Sequence, residues 1–152
     1  MASLNGPSRT LVQVPHDSRR TPLDKIAWIH LVDGHVLSTR SIDKDVYYLP
    51  GGKREAGESD LDALAREIHE ELSVRIDRAS AAHVGTFEAQ AHGHPTGVIV
   101  RMTCYTADVT GDLAPANEIA EMVWLTFADR ERSSPVDRLV LEHLHNTGRL
   151  RD

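Results

Sequence analysis

Gly52-Lys53-Arg54-Glu55-Ala56-Gly57-Glu58-Ser59-Asp60-Leu61-Asp62-Ala63-Leu64-Ala65-Arg66-Glu67-Ile68-His69-Glu70-Glu71-Leu72-Ser73-Val74 is the stretch whose reading decides this chain. Leu61, Leu64, Ala65, Ile68 and Leu72 recur on one face, which predicts an amphipathic helix over Asp60 to Leu72. Ser59 is placed to cap it with a hydroxyl that accepts an early backbone N–H, and Asp60 and Asp62 set negative charge at the positive end of the helix dipole. At roughly 100° per residue, Glu67, Glu70 and Glu71 share one sector beside the apolar face, and Ala63 is expected to lie on the same stripe and leave room there. Three carboxylates so placed repel one another. A hard divalent cation reverses that cost, because magnesium prefers oxygen ligands and keeps several waters. Arg66 can compensate part of the charge through Glu70, four residues on, or by folding back to Glu58.

Upstream, Ile26-Ala27-Trp28-Ile29-His30-Leu31-Val32 is an apolar run, Asp33-Gly34 a hairpin turn, and His35 to Arg40 a returning segment, which predicts two antiparallel core strands. Tyr47-Tyr48-Leu49 reads as a short third strand, stopped by Pro50-Gly51-Gly52. Downstream, strands are expected over Ala82 to Gln90, Val98 to Val109 and Met122 to Phe127, the first two separated by His92-Gly93-His94-Pro95-Thr96-Gly97. Ser134-Pro135 starts a second helix, with Val136, Leu139, Val140, His143 and Leu144 on its buried side and Gly148 as its stop. Strands with two substantial helices define an α/β protein, a mixed β-sheet sandwiched between α-helices. Residues 1–24 read as a flexible N-terminal arm or a short appended strand, and residues 25–152 as one domain.

The composition agrees. A chain of 152 residues with 40% apolar content fills one core. A formal charge of −6 argues against a surface that coats nucleic acid, so any phosphate partner must be met locally. Nothing approaches a membrane span, the first twenty residues lack the apolar middle of a signal peptide, and a cytoplasmic location is expected. Cys104, the only cysteine, cannot form an internal disulfide and reads as a buried strand thiol.

Taken singly, Glu-Glu pairs on an amphipathic helix are usually solvated surface, and a glycine loop is equally weak. The joint spacing is what counts: Gly52, five residues, Glu58, seven residues, then Arg66-Glu67-Ile68-His69-Glu70-Glu71-Leu72-Ser73-Val74. This resembles the Nudix box, Gly-x5-Glu-x7-Arg-Glu-U-x-Glu-Glu-x-Gly-U with U aliphatic, at every position but one. A random chain of this length would meet the matched positions on the order of once in a million cases, which decides against coincidence. The flanking strands, the Tyr48-Leu49-Pro50-Gly51-Gly52 lead-in and Trp124 extend the likeness from about Lys25 to the C-terminus. Ser73 is the departure. The family has glycine there, where the chain leaves the helix in a left-handed turn, and serine in that geometry costs on the order of 1 kcal/mol.

The resemblance implies the Nudix fold and a MutT-like hydrolase that cleaves the diphosphate linkage of a nucleoside diphosphate derivative, a nucleoside triphosphate or a nucleotide sugar, by metal-activated attack of water. It implies Mg2+, with Mn2+ as the alternative, held by Glu67, Glu70 and Glu71 with the Gly51 carbonyl, while Glu58 and Arg66 join loop to helix around Gly52. Such a cation polarises a phosphoryl oxygen and lowers the pKa of bound water, and Glu70, Glu71 or Glu118 can complete the deprotonation. Glu121 in the same loop is the one expected to point to solvent. Arg40 is the expected substrate contact, ahead of Lys53 and Arg54, and His92 and His94 are loop histidines placed to touch substrate. Tyr47, Tyr48, Phe87 and Trp124 are the candidates for base stacking.

Two rivals have marks of their own. A catalytically silent Nudix-like nucleotide sensor should have lost carboxylates, and here all are present. A diphosphate-binding isomerase of the isoprenoid kind needs a cysteine and a further glutamate in its pocket, whereas Cys104 is read in a strand without an evident partner. The expected partner is a nucleotide-like small molecule, with no nucleic acid or membrane, and the chain is a monomer or a homodimer.

Overall fold

The computed structural model describes Arg9–Leu11 and residues 21–152. Its strands are β1 (Arg9–Leu11), β2 (Leu23–Ile29), β3 (Leu31–Val32), β4 (His35–Ser41), β5 (Gly51–Lys53), β6 (Arg75–Ile76), β7 (Ala82–Gln90), β8 (Ile99–Thr106), β9 (Val109–Thr110) and β10 (Ile119–Leu125). The helices are α1 (Asp60–Leu72) and α2 (Pro135–Asn146), with short 3-10 turns at Arg78–Ser80 and Phe127–Arg132. Of the expected arm of residues 1–24, β1 lies parallel to β7, Leu23 and Asp24 already belong to β2, and residues 1–8 and 12–20 fall outside the described residues.

One mixed sheet runs in the order β1-β7-β8-β2-β5, a second in the order β10-β4-β3, and β9 pairs with β6. β2 is the strand that organises both cores. Its residues alternate across the sheet, so Ile26 and Trp28 pack with Ala63, Leu64, Ile68 and Leu72 of α1. Ala27 and Ile29 pack on the opposite face with Val140, Leu141 and Leu144 of α2. Full burial on both faces is why Ile26 to Ile29 reads as an unbroken apolar run. The helices therefore sandwich the sheet, as the sequence predicts. Trp28 satisfies its indole N–H on the Ala107 carbonyl at 3.0 Å, which lets so large a side chain be fully buried. Among the described residues no helix is long and apolar enough to cross a membrane.

Several local expectations are corrected. The run Ile26 to Val32 is not one strand paired with the next. Its first part joins β8 and β5, only Leu31–Val32 pairs with β4, and the chain passes between sheets at His30. Asp33 and Gly34 do form the turn, both at positive φ (52° and 76°), as a type I′ hairpin requires. Tyr47-Tyr48-Leu49 makes only isolated bridges, Thr39 with Tyr48 and Tyr47 with Ser133, because the Leu49 N–H goes to a side chain, Asp137 Oδ1 at 3.0 Å. The strand expected through Val109 ends at Thr106, and the one expected over Met122 to Phe127 spans Ile119–Leu125. Ala63 faces the core and not the carboxylate stripe, His143 is only half-buried, and α2 buries Asp137 and Leu141 instead.

Candidate active site

α1 begins at Ser59, whose side chain accepts the Asp62 N–H at 3.1 Å, and ends at Ser73, which is left-handed at φ 67°. Ser73 donates its N–H to His69 O at 3.0 Å and its hydroxyl to Ala114 O at 3.2 Å, so the strained residue gains a contact that glycine would lack. The loop after the helix is tied to it: Ala116 N–H donates to Glu71 O at 2.9 Å, and Asn117 Nδ2 to Glu70 O at 2.7 Å. That tether holds Glu118 close enough for its charge to be felt at Glu67 and Glu71.

The segment before β5 comes to the same end of the helix. Gly51 adopts φ 150°, and a Cβ there would run into the Ile26 carbonyl. Gly52 matters for a different reason: a Cβ would stand 2.5 Å from the Glu67 carboxyl carbon and would displace that carboxylate. The two glycines thus let backbone and carboxylates meet.

Glu71 is only 7% exposed, and one of its oxygens, Oε1, accepts the Gly51 N–H at 3.1 Å. Burial pushes its carboxyl up to about 8, opposed by that hydrogen bond and reinforced by Glu67 and Glu118. Glu67 is also raised, by burial first. The Glu70 side chain is about half exposed, at 52%.

Arg66 braces the group. Its Nε and Nη2 grip both oxygens of Glu58 at 2.7 and 2.9 Å, Nη2 also donates to Lys53 O at 3.1 Å, and Nη1 reaches Glu67 at 3.1 Å and Glu70 at 3.4 Å. Arg66, with the Glu55 N–H, lowers the Glu58 carboxyl to about 2. Among the described residues no three His, Cys, Asp or Glu side chains enclose an ion as they stand, with Arg66 lying against Glu67 and Glu70. The donor set nevertheless suits a hard divalent cation. Burial raises both carboxyls, Glu67 and Glu118 add to the rise at Glu71, and Lys25 opposes it only in part.

Beside Glu71 and Gly51 opens a cavity of about 250 Å³. Lys25, Lys44, Lys53, Tyr48, His92 and His94 are among its lining residues, as are Glu71 and Asp137. The two loop histidines line this cavity, with His92 Nε2 3.0 Å from Asp45 Oδ1. Of the four stacking candidates only Tyr48 lines the cavity: Phe87 is in the core, the Tyr47 hydroxyl donates to Glu121 at 2.7 Å, and Trp124 lies against His30.

Arg40 is not among the lining residues. Its Nε and Nη2 donate to Glu121 Oε2 at 3.2 and 3.0 Å, and Nη1 donates to the Ser41 and Lys44 carbonyls. Glu121, expected to face solvent freely, instead anchors Arg40 and Tyr47. Arg54 pairs with Asp24 and Asp60. Asp137 escaped sequence reasoning altogether. It is fully buried in the first turn of α2, takes the Leu49 N–H and the Ser134 hydroxyl, and so fixes the segment that delivers Gly51. An acidic residue two places after a helix-starting proline was the available signal, and it reads equally well as a dipole partner.

The family model described as the NUDIX domain matches residues 23–144. The chain belongs to the Nudix family. It is 33% identical over 138 residues to an isopentenyl-diphosphate Delta-isomerase of Leifsonia xyli subsp. xyli, covering 82% of this chain and 73% of that one. Among solved structures it is similar to the Escherichia coli ORF135 protein (26% identity, TM-score 0.65, 81% of this chain and 88% of that chain). It shares the fold of a MutT Nudix hydrolase from Burkholderia pseudomallei (22% identity, TM-score 0.69, 82% and 99%).

Proposed function

We propose that this chain hydrolyses the diphosphate link of a nucleoside diphosphate derivative, a nucleoside triphosphate or nucleotide sugar, with Mg2+ as cofactor and Mn2+ as the substitute ion. The observation that carries the proposal is Glu71, a carboxylate sunk beside Glu67 and pinned by the Gly51 N–H at the mouth of a pocket lined by cations. Glu67, Glu70, Glu71 and the Gly51 carbonyl are the groups that would hold the ion. When bound, it would polarise a phosphoryl oxygen and make water easier to deprotonate.

The chain's own residues supply the rest. Glu58 and Arg66 keep the loop against α1 through the paired hydrogen bonds. Glu118, on its tethered loop, is the carboxylate we assign to accept the proton of the attacking water, because it is held beside Glu67 and Glu71 and is not itself among the groups that would hold the ion. The complete carboxylate set supports a hydrolase over a silent sensor.

The isomerase named among the relatives makes isomerisation the second reading. Cys104 counts against it: the thiol is fully buried in the core of β8, is absent from the cavity lining, and burial holds it well above the ordinary thiol range, hence neutral.

A panel of nucleoside triphosphates, nucleotide sugars, dinucleotides and isopentenyl diphosphate separates the two. Magnesium-dependent product release from a nucleotide is expected, falling on the order of a hundredfold or more in Glu70→Gln and Glu71→Gln and unchanged in Cys104→Ala. Double-bond migration in isopentenyl diphosphate, abolished by Cys104→Ala, would install the isomerase reading instead.

A further inference from the structure

Asp60 opens α1 and is held from two sides. Its Oδ2 accepts the Tyr105 hydroxyl of β8 at 2.6 Å, and its Oδ1 takes Nη1 of Arg54, on the loop that leaves β5. Arg54 is itself tied down near the start of β2: its Nε donates to Asp24 Oδ2 at 3.0 Å and its backbone N–H to the Asp24 carbonyl at 3.3 Å. Tyr105 packs on the core beneath α1, so its hydroxyl is delivered by a rigid strand. A first-turn aspartate needs none of these partners to favour the helix dipole. Asp62, in the same turn, does so from an exposed position, paired with Arg78.

Helix geometry defines what the hold on Asp60 controls. Glu67 and Glu71 stand seven and eleven residues beyond Asp60, which at 100° per residue places each within about 20° of it around the axis. The partners of Asp60 therefore grip the face of α1 that presents the two most buried carboxylates. Gripped from β8 on one side and from the loop on the other, Asp60 cannot swing sideways, and α1 is kept from rolling about its axis. The apolar contacts of Leu64, Ile68 and Leu72 resist roll less sharply, because burial is non-directional whereas hydrogen bonds weaken steeply with angle. The tolerance at the carboxylates is small. Glu71 meets the Gly51 N–H at 3.1 Å, and Glu67 lies so close to Gly52 that no Cβ fits between them as they stand.

We infer that Arg54 and Tyr105 are positioning residues which, through Asp60, set the roll of α1 and with it the placing of Glu67 and Glu71 against Gly51 and Gly52. The inference rests on the hydrolase reading above for what the carboxylates do, but not for how they are held. It adds a second brace to the Arg66–Glu58 pair, with which it shares no residue.

Two readouts test it, and neither needs turnover. In the metal-free full chain the Gly51 amide resonance reports the hydrogen bond to Glu71, and in the same chain Mn2+ affinity is read by electron paramagnetic resonance. Tyr105→Phe removes one oxygen and leaves the ring in place. It should shift the Gly51 resonance and weaken Mn2+ binding about fivefold or more, with the fold retained by circular dichroism. Arg54→Ala should do the same, and Arg54→Lys should recover part of the loss. Adding Tyr105→Phe to Asp60→Ala should cost nothing further, because both act through one carboxylate. Arg78→Ala, which removes the exposed pair to Asp62 in the same turn, should leave both readouts at native values. Native readouts in Tyr105→Phe and Arg54→Ala overturn the clamp, and so does an equal loss in Arg78→Ala. A native chain that binds no Mn2+ and cleaves nothing sinks the hydrolase reading, and the clamp is then decided by the Gly51 resonance alone.

Discussion

Arg66 does its work through the shape of its guanidinium. Three nitrogens meet Glu58, the Lys53 carbonyl, Glu67 and Glu70 at once, a set that a lysine's single ammonium cannot span. Arg66→Lys should therefore weaken Mg2+ affinity and lower kcat by about tenfold while the fold survives, read from metal titrations and circular dichroism. Unchanged metal affinity would mean the brace is decorative. Asp137 illustrates the opposite case, a carboxyl group kept away from water. Burial raises its pKa in the folded state, so the native protein holds a proton that the unfolded chain has released. The contribution from this group is therefore fully present below the ordinary aspartate range and is lost as pH climbs through the raised value. Asp137→Asn, which keeps an oxygen for the Leu49 N–H, should flatten that part of the denaturation midpoint against pH. An identical slope in both proteins would assign it elsewhere.

α1 is the element in which local and functional demands coincide. Its apolar face is buried to Leu72, and its carboxylate stripe runs so near that face that Glu71 is buried with it. The caps at both ends are those the residue types suggest, and the left-handed Ser73 is held by its hydroxyl on Ala114. Ser73→Gly relieves about 1 kcal/mol of backbone strain and removes a partly exposed hydrogen bond contributing about 0.5–1.5 kcal/mol. The two should nearly cancel, leaving urea stability within about 1 kcal/mol of native and activity intact. A loss of 2 kcal/mol or more would show that the Ala114 contact outweighs the strain.

On the scale of the whole molecule, two cores share strand β2, so damage on either side of it is transmitted to the site. Leu64 is fully buried between α1 and β2. Leu64→Ala should cost about 2–5 kcal/mol, seen as a lower melting temperature, and should loosen the helix that carries the carboxylates. A melting temperature within a degree of native would mean that the surrounding core collapses into the vacated space.

The helix, its caps, the glycine lead-in and the carboxylate stripe were all readable from Tyr48 to Val74, because each depends on neighbours a few residues away and on the fixed turn per residue. The sandwich of helices on a mixed sheet was readable too, from the pattern of strands, turns and helices together with the family resemblance. What tertiary structure decided involves partners far apart in the chain. Asp137 reaches Leu49 across 88 residues, and Arg40 is drawn to Glu121 across 81. The partition of Ile26 to Val32 between two sheets, and the opposition of Lys25 to Lys53, follow from strand pairing, which leaves no periodic trace in a single strand. Local order is written in spacing, whereas the occupancy of a charged side chain depends on which distant partner the fold brings within about 3 Å of it.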